Sequence, residues 1–83
     1  MSDKQKLAVK AVDYIMSELK YDQPTELTLG DDPLTEERNS AIYTDGVVYD
    51  YLHQFHYEVN DELEKRFGFY LENYGQGIYT IAK

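Results

Sequence analysis

Asp50, His53 and His56 form an Asp-x-x-His-x-x-His array, three metal-capable side chains at i, i+3 and i+6. On one helix the outer members stand about 240° apart, so at most two neighbours share a face and further donors must come from elsewhere. The spacing favours a solvated or hydrogen-bonded histidine pair, for which Asp50 and Tyr57 are at hand. The adjacent carboxylates Asp31/Asp32 and Glu36/Glu37 could do general acid–base work only within a pocket, and no pocket-forming pattern accompanies them. No Ser-His-Asp arrangement can be defended. Gly75 and Gly77 precede a strand-like run instead of opening a helix, which argues against a phosphate loop. With no cysteine there is no thiolate metal site and no disulfide. The expectation is a protein that is not an enzyme and holds no cofactor or metal.

What the chain does carry is carboxylate. Its 83 residues hold 16 Asp and Glu against 8 Lys and Arg, a formal charge of −8. Residues 1–20 sum to +1 and residues 65–83 to +2, whereas residues 22–64 carry −11. The acids of that band are Asp22, Glu26, Asp31, Asp32, Glu36 and Glu37, followed by Asp45, Asp50, Glu58, Asp61, Glu62 and Glu64; Arg38 is its one base. They are dispersed singly and in pairs among Tyr, Leu and Val, the pattern of a folded surface and not of a disordered tail. Tyr43, Tyr49, Tyr51 and Tyr57 lie in the same band. A tyrosine ring offers a cation–π face, and a carboxylate accepts bidentate bonds from guanidinium, so the mixture suits an arginine-rich partner. The twelve acids, with Tyr49 and Tyr51, are therefore the candidate partner-binding residues. Net negative charge repels nucleic acid and anionic membrane, and steers toward a basic protein.

Such a surface needs a scaffold, and 83 residues make one small domain with a thin core. No apolar run approaches a membrane span or a signal peptide, so a cytoplasmic protein is expected. Ser2 and Gln5 form a capping box before Leu7, Ala11, Ile15 and Leu19, which predicts a helix over residues 3–20. Pro24 ends it, and residues 21–35 read as a connection holding one short edge strand at 25–29. Thr35 to Tyr43 reads as a short helix. Asp45-Gly46 is a hairpin signal, but Val48, Leu52, Phe55, Val59 and Leu63 recur at helical spacing and outweigh it. Asp45 then becomes the N-cap of a helix over 46–67. Alternatively, Asn60 to Glu62 caps a fresh helix whose stripe runs through Leu63, Phe67, Tyr70, Leu71 and Tyr74 and which Gly75 ends. Ile78 to Ala82 reads as a strand, paired with 25–29. The predicted fold is mainly α: a single acidic domain of three to four helices with a two-stranded ribbon at 25–29 and 78–82.

The segment Tyr14-Ile15-Met16-Ser17-Glu18-Leu19-Lys20-Tyr21-Asp22, the acid-rich stretch Gly30 to Glu37, and Ser40-Ala41-Ile42-Tyr43-Thr44-Asp45-Gly46-Val47-Val48 together resemble small phage-encoded acidic antirestriction proteins of the Ocr kind. The resemblance covers about residues 10–55. The proline of the family's Ala-Val-Pro-x-Tyr-like segment and its long acidic C-terminal tail have no counterpart here. The resemblance implies DNA mimicry: carboxylates standing in for phosphates, a host defence or DNA-processing protein as the target, host cytoplasm as the location and a homodimer as the assembly. The alternative expectation is an immunity- or antitoxin-type protein that neutralises a basic nuclease through a small Tyr/carboxylate hot spot at Tyr49 and Tyr51.

Overall fold

The computed structural model describes residues 1–20 and 26–83. The Ser2 capping box forms as the sequence predicts: the Ser2 side chain accepts from the Gln5 N–H, and the Gln5 side chain accepts from the Ser2 N–H (2.8 Å). It starts helix α1, Asp3–Leu19, which Lys20 closes in the left-handed conformation with φ 54°. Ala8, Ala11, Tyr14 and Ile15 are its buried face.

Strand β1 (Leu27–Gly30) is an edge strand, close to the predicted 25–29; Thr25 lies outside the described residues. The short helix expected over 35–43 is absent. Residues 31–40 are turn and loop, and Ala41–Thr44 is strand β2. Helix α2 (Gly46–Phe67) follows at once, with Asp45 as N-cap, as the apolar spacing predicts. Gly68, at φ 76°, stops α2 through its N–H to the Glu64 carbonyl (3.0 Å), so the alternative helix through Tyr74 does not form. Tyr70–Gly75 is instead strand β3, and Ile78–Ala82 is strand β4.

The mainly helical fold class is thereby corrected: two helices pack on a four-stranded antiparallel sheet of order β1-β2-β4-β3. The expected ribbon is also corrected, because β2 stands between β1 and β4 and pairs with both. Each half of the chain is a helix, an edge strand and an inner strand, and the two halves meet where β2 pairs with β4. Cross-strand partners share a face, so Leu27, Leu29, Ile42, Tyr79, Ile81 and Leu71 all point one way. Both helices cover that face and close the core with Ile15, Val48, Leu52, Val59 and Leu63. Since α1 leads into the start of β1, and α2 runs from the end of β2 to the start of β3, the two helices lie antiparallel. No helix among the described residues is long and apolar enough to cross a membrane.

Candidate functional site

Ten of the fourteen candidate residues fall into three sets according to what their side chains do, Asp61 standing at the border of two, while Asp31, Glu36 and Tyr49 lie apart. Asp22 lies outside the described residues.

The first set is used inside the fold. Asp32, at 1% exposure, is buried. Its Oδ1 accepts from the N–H groups of Leu34 (2.7 Å) and Thr35 (3.3 Å), and its Oδ2 accepts from Lys4 Nζ at 2.9 Å. Burial alone would raise the Asp32 pKa, but the Lys4 ammonium and the two N–H donors outweigh it and hold the carboxyl below its ordinary value. Glu37 accepts from the Ser2 hydroxyl. Glu26 Oε2 accepts from the Val47 N–H (2.6 Å) and Asp45 Oδ1 from the Gly46 N–H (2.8 Å), so two carboxylates satisfy the first donors of α2 and complement its dipole. Gly46 has φ 52°, and a Cβ there would meet the Glu26 carboxylate. Glu26, Asp32 and Glu37 therefore have structural duties, and Asp45 is a cap that remains exposed. Asp31 and Glu36 are exposed in the same 31–40 loop as Asp32 and Glu37, at the end of the sheet opposite Asp45.

The second set lines the outer side of α2. Helix α2 is kinked at Phe55; beyond the kink Tyr57, Asp61 and Glu64 fall on one stripe, Asp50 precedes it, and all four are exposed, Tyr57 at 83%. Asp50, Asp61 and Glu64 have no ion-pair partner among the described residues. The stretch from Asp45 to Glu64 spans at most about 28 Å, the length it would have without the kink at Phe55.

The third set faces α1. Between the two helices lies a groove of about 440 Å³. Tyr14, Tyr51 and Phe55 supply its aromatic surface, and Glu18, Glu58, Asp61 and Glu62 its carboxylates. Phe55 belongs to the apolar spacing of α2 but leaves the helical conformation (φ −115°, ψ 24°) and is 39% exposed, so it lines the groove and is not core. The Tyr51 and Phe55 rings are tilted against each other at 5.3 Å between centroids. Burial raises the Tyr14 and Tyr51 phenols, and the Glu18 carboxylate raises both further. At the groove's end Glu62 accepts from Arg66 Nε (3.2 Å), and the Arg66 guanidinium lies 5.1 Å from the Tyr14 ring centroid.

Tyr49 and Tyr51, expected to act as one hot spot, part company. Tyr51 turns toward α1, whereas Tyr49 stacks on His53 (centroids 6.1 Å, 4° between planes) on the side of the β3–β4 turn. Glu18, Tyr14 and Phe55 were not among the candidates. Their signal was present as Tyr14/Glu18 at i, i+4 on one helix and Tyr51, Phe55, Glu58 and Glu62 at spacings of four, three and four on the other.

The histidine array is taken apart by the fold. His56 Nε2 bonds the Leu71 carbonyl (2.8 Å), and the Asn60 amide both donates to that carbonyl (3.1 Å) and accepts from the Leu71 N–H (2.9 Å). These two α2 side chains thus occupy the outer hydrogen-bonding groups of edge strand β3 at Leu71. No group of three metal-capable side chains is assembled among the described residues. No family model matches the chain, and neither curated proteins nor solved structures contain a significant match to it.

Proposed function

We propose that this protein is a non-enzymatic acidic inhibitor that occupies the basic, nucleic-acid-binding surface of another protein, with α2 as the element that makes contact. The observation that carries this reading is the outer side of α2, where Asp50, Asp61 and Glu64 stand exposed without an ion-pair partner among the described residues. Asp45, Asp50, Glu58, Asp61 and Glu64 give five carboxylates along this helix that form no ion pair among the described residues, Glu62 being paired with Arg66. One DNA strand presents at most about eight phosphates over that length, so the charge density is of the right order for exchange at a phosphate-binding surface. The contact is narrower than the whole acidic band, because Glu26, Asp32 and Glu37 are engaged within the fold. Exposed Tyr57 and Phe55 on the same helix add the aromatic contact that charge alone lacks.

The test is displacement. Bacterial proteins retained on a phosphate-bearing resin are fractionated, and their binding to labelled duplex DNA is measured with and without the protein. At least one fraction should release DNA, and the variant Asp50→Asn/Asp61→Asn/Glu64→Gln should lose most of that effect. Undisturbed DNA binding in every fraction, or full potency in the triple variant, would refute the reading.

A further inference from the structure

The groove between α1 and α2 has two properties that a generic acidic surface lacks. Three aromatic rings line it, and its carboxylates come from both helices, so a cation entering it meets rings and acceptors together. Lys65 is the single cation of the lining, and it makes no ion pair with these acids among the described residues. Glu62 is paired with Arg66, so Glu18, Glu58 and Asp61 remain around a slot with one ammonium, a local excess of negative charge beside apolar surface. The fold itself shows which cation such a slot suits. Just beyond it, Arg66 sets its guanidinium over the Tyr14 ring while donating to Glu62. That is one guanidinium served at once by a ring face and a carboxylate, and the neighbouring Tyr51/Phe55 pair with Glu58 repeats the same set of groups without an arginine in it.

We propose that the groove receives an arginine side chain of a basic protein partner, its guanidinium lying on the Tyr51 and Phe55 rings with Glu58 and Glu18 as acceptors; the proposal rests on the inhibitor reading above and names the residue that its partner inserts. Arginine is favoured over lysine because a planar guanidinium can stack on a ring while its edge N–H groups bond a carboxylate. An ammonium is a compact, more strongly hydrated charge with no plane to stack.

The probe is the blocked tripeptide Gly-Arg-Gly, titrated into the intact ¹⁵N-labelled protein, with Gly-Lys-Gly at matched concentration and ionic strength. Amide shifts should converge on residues 14–18, 51–55 and 58–62, and the lysine peptide should bind about three-fold more weakly. Phe55→Ala should weaken the arginine peptide by a similar factor of about three and abolish the preference over lysine. Glu58→Gln provides a second variant at an exposed position, where the fold is not at issue. Equal binding of the two peptides, no binding of either, or shifts spread along the outer stripe of α2 would overturn the slot. Displacement of DNA from a basic protein, with groove resonances unmoved by Gly-Arg-Gly, would refute the slot and leave the inhibitor reading standing. Groove binding without any displacement would refute the inhibitor reading alone.

Discussion

Replacing Asp32 tests whether this acid belongs to the fold and not to the partner surface. Its carboxylate serves the Leu34 N–H at 2.7 Å, the Thr35 N–H at 3.3 Å and Lys4 Nζ at 2.9 Å. A hydrogen bond to a charged group contributes about 1.5–3 kcal/mol, but the Thr35 bond is long. Lys4 is about a third exposed, so its ion pair is worth at most about 1 kcal/mol. Asp32→Ala should then cost about 3 kcal/mol, a large share of the roughly 4–12 kcal/mol expected for a chain of this size. At about 4–8 °C per kcal/mol, the melting temperature should fall by roughly 12–24 °C. Asp32→Asn keeps an acceptor for the two N–H groups and loses the charge, so it should cost about 1–2 kcal/mol at neutral pH.

The acid limb gives the sharper check. The folded-state pKa of Asp32 is depressed. Its contribution is therefore fully present above the unfolded value of about 3.9 and is lost as the pH falls through the folded value. Urea unfolding followed by circular dichroism should show the gap between the parent and Asp32→Asn closing below about pH 4. Identical stability at neutral pH, or a gap that stays constant down to about pH 2, would refute the assignment of Asp32 to the fold.

Asn60→Leu should destabilise the protein by about 1–3 kcal/mol, because it leaves the Leu71 N–H without its partner; urea denaturation would read the loss, and the Leu71 amide should lose hydrogen-exchange protection. Gly77→Ala should cost more than about 1 kcal/mol, since Gly77 has φ 82° and an added Cβ would lie 2.8 Å from the Thr44 carbonyl oxygen; an unchanged thermal melt would contradict this. Tyr14, Tyr51 and Tyr79 have raised pKa values, burial being the first cause in each. Their contribution is full below the unfolded value of about 10 and is lost as the pH rises through the folded values. Phenolate absorbance should thus show a late-titrating fraction above about pH 10, accompanied by falling stability.

Both helices could be read from the sequence because their signals are local. Ser2 with Gln5 and Asp45 before Val48 mark the starts, and the buried residues recur at three- and four-residue spacing. Strand β2 lies where Asp45-Gly46 signals a hairpin, but its own residues did not decide between strand and short helix, for a physical reason. It is an inner strand, and Ala41 and Ile42 are both fully buried, so it lacks the polar–apolar alternation of a half-exposed strand. Strand β3 was masked by a helical stripe running across Gly68, whose left-handed conformation ends α2 where the periodicity alone would have continued it. The strand order depends on pairing β2 with β4 across the whole of α2, which no local pattern encodes. Within the site, the Asp32-Pro33 turn signal was available and marks Asp32 as a loop-forming acid. The groove needed the relative placement of two helices distant in sequence, so its aromatic and acidic stripes were visible only separately.

The meeting of two similarly arranged halves at β2 and β4 has a consequence for self-association. Either half exposes, on opening, an inner strand whose natural complement is the corresponding half of any other copy, so unfolding and recovery at high concentration can yield an exchanged dimer with native pairing throughout. The hinge of that exchange is Asp45, the lone residue between β2 and α2. The bonds that Glu26 and Asp45 make to the first turn of α2 hold the connection bent, and straightening it would break them. The same two carboxylates that begin the helix thereby work against such an exchange, a second duty for side chains at this turn.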